Sequence, residues 1–393
     1  MSNQIDKNNL KYFCIFGGGS IRGLSYVGAY KALKELGVEI TGYAGSSVGS
    51  IAAALSALDY NLDEITDVFM KFDYALFKDI NFSFKLELAI SKGEIFTDKI
   101  RELICKKMNT DKPVCFKDFP KDLYVITTNL SKGKCVIFSK ETTPDFEVAQ
   151  AIRISAGFPG LLNPYELDGD LYVDGDLTKA YALSHLSPCL NPKNTRVLEF
   201  RLEGTKKHDK TNNPIVFMND SFDFLSYMAT DNIVDLYSNY DKYDFVVIST
   251  KNTLLFDFSI PKEKREQLIN LGYNETMNYF KKSLSGKKAR LCKEYSKMQE
   301  ALLDAKKQLS ENKNESARLS LLNYVFENYK NIKYLDDDFL NNLEEIVNLL
   351  SESTIKILFF KIKNDNHKAA ADKINALTEK LKSKINELKN CIF

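Results

Sequence analysis

The sequence offers chemistry first at Gly45-Ser46-Ser47-Val48-Gly49, which fits the pattern G-x-S-x-G. Tyr43 and Ala44 precede it and the helical SIAAALSAL follows, so the serine sits in a strand-turn-helix elbow. Such a turn leaves no room for side chains beside the serine, which explains Gly45 and Gly49. It also lifts the hydroxyl onto the positive end of a helix, making Ser47 a candidate nucleophile. Glycine and serine crowd ordinary turns as well, so the pentapeptide needs company. Gly17-Gly18-Gly19-Ser20-Ile21-Arg22-Gly23 supplies some, about 25 residues earlier, between the strand-like YFCIF and the helical LSYVGAYKAL. A glycine-rich strand-to-helix loop exposes backbone N–H groups that can hold a pyrophosphate or the oxyanion of an acyl-transfer intermediate. The dinucleotide fingerprint fails because Arg22 stands where its third glycine should be, and no G-K-[ST] follows. The third element, Tyr172-Val173-Asp174-Gly175-Asp176, is a strand end entering a turn, where a carboxylate can face a site above a sheet. Alone, Asp-Gly is an ordinary turn. A Ser-Asp-His triad would need His185 or His208, since His367 is the sole other histidine.

The elements that must position these residues alternate. Tyr12–Phe16, Leu123–Thr128, Cys135–Ser139, Val197–Leu202 and Phe245–Thr250 are short apolar, β-branched or aromatic runs that predict buried strands, and Leu24–Leu36 and Ser50–Leu58 carry helical patterning. Strands alternating with helices imply an α/β sheet covered on both faces. The character of the chain then changes. Fifteen of eighteen glycines precede Asp176, the last proline is Pro261, and the 107 residues after Gly286 contain neither. Long helices avoid both residues, so a boundary near residue 285 is expected: an α/β domain over 10–285 and a helical region over 286–393. Tyr295, Met298, Leu302, Ala305 and Leu309 form one apolar stripe at helical spacing, and Ile374, Leu377, Leu381, Ile385, Leu388 and Ile392 form a second. Packing of these helices on each other or on the main domain is expected, with an interfacial helix as the sharper alternative.

Fifty-four basic residues against 53 acidic ones leave no global field to draw the chain to nucleic acid. The seven cysteines are scattered without the paired spacings of a zinc site and read as reduced thiols, and no calcium loop is present, so neither metal nor cofactor is expected. The polar opening MSNQIDKNN lacks a secretory signal, no run approaches the roughly 18 apolar residues of a span, and Cys391 lies one position too late for prenylation. The expectation is a cytoplasmic protein, with membrane association or non-classical export left open.

Taken together and in this order, the loop, elbow and Asp-Gly turn resemble the patatin-like phospholipases, and RISAGFPGLLNP (Arg153–Pro164) adds to the likeness. The resemblance spans about residues 10 to 285. It implies a three-layer α/β/α patatin-like domain with, here, an all-helical C-terminal extension. It further implies a serine esterase with a Ser-Asp dyad: Ser47 as nucleophile, Asp174 as base, and Gly18, Gly19, Ser20 and Arg22 as the oxyanion-hole loop. The chain departs from the family pattern at Ser20, where a third loop glycine is usual, and at Asp176, where alanine or glycine is usual. The implied activity is phospholipase A or lysophospholipase hydrolysis of acyl esters. The implied partners are a phospholipid or lysophospholipid, with peripheral membrane contact and a protein or small-molecule activator open. The alternative is a regulated effector or binding module of the same fold, its helical tail sensing a partner, ligand or membrane.

Overall fold

The structure is a computed structural model and describes residues 11–71, 89–178, 186, 195–204, 216–217, 220–225, 234, 237–238, 240–250, 253–311, 313–332, 335, 337–355 and 365–390. Contacts divide it into two compact units: one of residues 11–238 and 243–279, the other of residues 240–242 and 280–390.

The first unit is built on a mixed sheet. Strands β1 (Lys11–Phe16), β2 (Glu39–Ser46), β4 (Asp122–Asn129), β9 (Arg196–Glu203) and β10 (Tyr243–Ser249) run parallel in the order β10-β9-β1-β2-β4. Beyond β4 the direction reverses: β8 (Asp170–Val173) pairs with it antiparallel, β7 (Tyr165–Leu167) pairs with β8, and β5 (Lys134–Phe138) also pairs with β4. A separate pair joins β3 (Ala89–Ser91) and β6 (Gly160–Leu162). The five predicted strands are all present. Strands β2 and β8 are those that the elbow and the Asp-Gly turn require, and those missing from the sequence reading, β3, β6 and β7, are three residues long, too short to show periodicity.

Alternation along each strand sends side chains to two faces, and both are covered. On one face Phe16 packs its ring on Tyr26 of helix α1 (Leu24–Leu36), on Phe200 and on Tyr43, with centroids 5.0, 5.4 and 6.5 Å away. On the other, Phe13, Ile15, Ala44, Tyr124, Ile126 and Val197 form one buried cluster with Leu186. A parallel pair needs a crossover, and α1 supplies it between β1 and β2. Helices α2 (Val48–Ala57), α3 (Leu62–Met70), α4 (Glu94–Met108), α5 (Val148–Ser155) and α6 (Lys262–Asn278) also belong to this unit. Helix α6 crosses α1 at glycine-to-backbone distance: a Cβ on Gly28 would lie 1.8 Å from the Ile269 carbonyl, and one on Gly272 would lie 1.8 Å from that of Ser25.

The second unit is helical, with α7 (Leu284–Ser310), α8 (Asn314–Ile332), α9 (Asp337–Ile355) and α10 (Asp365–Asn390). Both stripes predicted from helical spacing face protein: Tyr295 to Leu309 and Ile374 to Leu388 are buried in one cluster, while Ile392 lies outside the described residues. The stripe on α10 is therefore covered by its neighbours and does not present an apolar face to lipid. Asp241 ties residues 240–242 into this unit, accepting from the Tyr295 hydroxyl at 3.1 Å and pairing with Lys384 Nζ at 3.1 Å. No helix among the described residues is long and apolar enough to cross a membrane.

Leu381 is fully buried at the centre of this helical core. Leu381→Ala is expected to lower stability by about 2–5 kcal/mol, the usual cost of emptying a leucine site. Urea unfolding followed by helical circular dichroism checks it, and an unmoved midpoint would contradict the burial of the stripe.

Candidate active site

The nucleophile elbow is a feature of close backbone packing. Strand β2 ends at Ser46 and α2 begins at Val48, so Ser47 alone makes the turn, with φ 51° and ψ −129°. A non-glycine residue at positive φ is strained and persists only where its surroundings hold it. Here the Ser47 amide donates to Ser155 Oγ at 2.9 Å, and its carbonyl accepts from the Ser50 amide at 2.9 Å and the Ser50 hydroxyl at 2.6 Å. The flanking glycines are steric necessities: a Cβ on Gly45 would sit 2.2 Å from the Gly49 carbonyl, and one on Gly49 would sit 2.2 Å from that of Phe16.

The Ser47 hydroxyl donates to Asp174 Oδ2 at 2.8 Å, so the structure brings the two residues singled out in the sequence into direct contact. Asp174 is buried just past the end of β8. Its amide donates to the Gly157 carbonyl at 3.0 Å, and its carbonyl accepts from Thr128 Oγ1 at 2.8 Å. Gly175 must be glycine because a Cβ there would meet the Ile126 carbonyl at 2.1 Å. The segment Arg153–Pro164 now has a physical account. Ser155 accepts from the Ser47 amide and donates to the Ile126 carbonyl at 2.6 Å, Gly157 receives Asp174, and the buried Arg153 guanidinium donates to the carbonyls of Lys92 and Asn163. Ser155 and Thr128 are positioning residues that the sequence reading did not single out. The signal for Ser155 lay in its motif, but its partner lies 108 positions away.

The loop after β1 comes to the same place, at the carboxyl ends of β1, β2 and β9, where open α/β sheets offer a crevice. Gly18, Gly19, Ser20 and Arg22 all line one cleft with Ser47 and Asp174. Their donors have different partners. The Gly18 amide donates to Asp176 Oδ1 at 2.9 Å. The Arg22 guanidinium is bidentate to Asp223 at 2.5 and 2.7 Å and donates through Nε to the Thr253 carbonyl at 2.6 Å. Both members of that ion pair are buried, so it fixes the loop instead of offering a free charge. The amides of Gly19 and Ser20 have no hydrogen-bond acceptor among the described residues, and both residues line the cleft. Ser20 adopts φ 50°, so the loop keeps its left-handed turn without the usual glycine. Tyr26 clamps the start of the loop by donating to the Gly17 carbonyl at 2.6 Å. Burial first, and then the charge of Asp176, push its hydroxyl well above the ordinary tyrosine range, which keeps the donor proton in place.

The lining of the cleft includes the apolar Ile51, Phe96, Phe158, Leu161, Leu202 and Phe256. No histidine is among the described residues that line it; His185 and His208 lie outside the described residues. An apolar cleft with a serine-carboxylate pair and two unsatisfied amides can bind an acyl group and exchange it through the serine.

Residues 14–181, somewhat under half of the chain, match the family model for patatin-like phospholipase. Protein R571 of Acanthamoeba polyphaga mimivirus is 28% identical over 281 residues, covering 68% of this chain and 93% of its own length. The protein named "Probable lipid hydrolase 463L" of Invertebrate iridescent virus 6 is 28% identical over 199 residues, 47% of this chain and 67% of its own. Lysophospholipase NTE1 of Phaeosphaeria nodorum is 28% identical over 173 residues, 44% of this chain and 11% of its own. Among solved structures, VipD from Legionella pneumophila aligns over 97% of this chain and 92% of its own, with a TM-score of 0.48 and 15% identity.

Gly49→Ala tests the elbow. Because its Cβ would fall on backbone that cannot swing aside, the variant is expected to lose at least about 3 kcal/mol of stability, measured by thermal melting. A melt equal to wild type would mean that the elbow relaxes.

Proposed function

We propose that the protein is a lipid acyl hydrolase that cleaves carboxylic esters of phospholipid or lysophospholipid through an acyl-enzyme on Ser47, with Asp174 as base. The observation that carries this reading is the 2.8 Å hydrogen bond from Ser47 Oγ to Asp174 Oδ2 inside an apolar cleft. Asp174 Oδ2 accepts the hydroxyl proton as Ser47 Oγ attacks the ester carbonyl carbon. The amides of Gly19 and Ser20 then hold the tetrahedral oxyanion. Collapse breaks the bond to the alcohol or lysolipid, which leaves with the proton from Asp174. Water then attacks the acyl-enzyme, gives its proton to Asp174, and the proton returns to Ser47 as the fatty acid departs. The first amide of α2 stands at the positive end of that helix, beside the forming negative charge.

The surroundings of the cleft favour an aggregated lipid as substrate. Large apolar side chains stand exposed next in sequence to cleft-lining ones: Phe224 and Leu225 are 55% and 59% exposed beside Phe222 and Asp223, and Leu254 is 39% exposed beside Leu255. Exposed apolar residues next in sequence to the lining of an acyl cleft suit contact with a lipid surface.

Ser47→Ala and Asp174→Asn are each expected to lower ester hydrolysis at least about 10³-fold with the fold retained, as a nucleophile and its base acting together should. His185→Ala and His208→Ala are expected to stay active. A histidine variant as inactive as Ser47→Ala would replace the dyad with a triad. A fluorophosphonate should label wild type and not Ser47→Ala. An unlabelled wild type that hydrolyses no lipid would point instead to a binding or effector module with an inactive site.

The double variant Phe224→Ser, Leu225→Ser is expected to reduce hydrolysis of phosphatidylcholine vesicles about tenfold, the loss anticipated when two side chains no longer leave water at the surface. Hydrolysis of a short-chain soluble ester by the same variant should stay within about twofold. Equal losses on both substrates would place these residues in the fold and not at the lipid surface.

A further inference from the structure

The residue that departs most from the family pattern is also the one that joins the three parts of the site. Asp176 Oδ1 accepts the Ser46 hydroxyl at 2.5 Å and the Gly18 amide at 2.9 Å, while the Asp176 amide donates to Asp174 Oδ1 at 2.8 Å. One side chain and its own backbone thus touch the elbow, the glycine loop and the candidate base. A Cβ on Gly18 would lie 2.2 Å from Asp176 Oδ2, so the loop approaches this carboxylate as closely as glycine allows.

We infer that Asp176 is a positioning residue that ties the glycine loop to the nucleophile elbow and thereby aims the amides of Gly19 and Ser20 at the oxyanion. This inference rests on the acyl hydrolase reading above. The loop needs such a tie because its geometry is uncommon: Gly19 has φ 145° and Ser20 φ 50°, values that persist only when neighbouring atoms enforce them. Upstream, the Gly17 amide donates to the Phe200 carbonyl at 3.0 Å and its carbonyl accepts from Tyr26. Downstream, the Ile21 amide donates to the Leu255 carbonyl at 3.2 Å. Between these anchors Asp176 makes the hydrogen bond that fixes Gly18, and a carboxylate acceptor makes it stronger than a neutral one would. The geometry separates Asp176 from the role of base: the Ser47 hydroxyl goes to Asp174 Oδ2, whereas Asp176 Oδ1 is occupied by Ser46 and Gly18. The opposite possibility is a plug, in which the carboxylate blocks a donor and repels the oxyanion.

Asp176→Asn keeps an acceptor oxygen in place and removes the charge, whereas Asp176→Gly removes both. Positioning requires kcat on a soluble ester to fall about 10²-fold in Asp176→Gly, the scale expected when catalytic groups are misplaced by about an ångström. KM should hold within about threefold, and Asp176→Asn should recover most of the rate. Faster turnover in Asp176→Gly would overturn the inference in favour of a plug. An Asn variant as slow as the Gly variant would overturn it in favour of a need for the charge itself. Asp176→Ala serves the same comparison should the glycine variant not fold. Amide hydrogen exchange over residues 14–23, read by mass spectrometry, needs no activity. Exchange should quicken in Asp176→Gly or Asp176→Ala and stay at the wild-type rate in Asp176→Asn and Ser47→Ala. Unchanged exchange in the Gly and Ala variants would overturn the tie. Quickened exchange in a protein that hydrolyses nothing would uphold the tie while the hydrolase reading failed.

Discussion

The whole site depends on one separation. Ser47 Oγ and Asp174 Oδ2 must be held 2.8 Å apart, although the strands that deliver them, β2 and β8, do not touch. Strand β4 lies between, parallel to one and antiparallel to the other, with Ser46 opposite Ile126 and Val173 opposite Thr128. The backbone of β4 acts as the spacer. The Ile126 carbonyl receives Ser155 Oγ and has Gly175 packed against it, and Thr128 Oγ1 holds the Asp174 carbonyl. A one-residue slip in either pairing would turn the serine or the carboxylate to the opposite face, so the hydrogen-bond ladder and the glycine contacts protect the register together.

This rigidity also explains where strain can be kept. Ser47 and Ser20 both stand at positive φ, each costing about 1–3 kcal/mol in an ordinary setting. Ser47 follows directly on paired strand β2, between Gly45 and Gly49 whose neighbours lie at backbone distance, and Ser20 follows Gly19, where a Cβ would meet the Leu202 side chain at 2.8 Å. A site carried on a looser frame would relax these residues, swing the hydroxyl away from Asp174 and close the loop amides onto other acceptors. The buried aromatic contacts of Phe16 with Tyr26, Tyr43 and Phe200 resist that relaxation, because they fill the sheet face directly beneath the loop and elbow.

Local signals made much of this legible. The apolar runs of β1, β4, β5, β9 and β10, the α1 pattern and the G-x-S-x-G elbow are consequences of neighbours in sequence, and each is found within a residue or two of its expected place. The stripes of α7 and α10 could be read because helical spacing repeats over many turns. What could not be read depends on distant partners. Asp223, the counter-ion of Arg22, lies 201 positions away, and Gly18 meets Asp176 across 158. The basic loop residue was recognisable by type, but only its partner reveals that it braces the loop through a buried ion pair. Residues 240–242, which pack with the helical unit through Asp241, carry no compositional sign of that membership either.

These distant pairings determine how the site can handle charge. Arg22 is the one cation among the described residues lining the cleft, alongside the carboxylates of Asp174, Asp176, Glu203 and Asp223. Its guanidinium is matched to Asp223, so a negative charge forming at the serine finds no free cation among the described lining residues. On the proposed mechanism the oxyanion must be stabilised by neutral dipoles: the amides of Gly19 and Ser20 and the first turn of α2. Dipoles act only at short range and in the right direction, whereas a cation tolerates displacement. A site of this composition is therefore exacting about the shape of its loop. That requirement gives a physical reason for a carboxylate at position 176 to fasten the loop to the elbow, even though it adds negative charge beside the reaction centre.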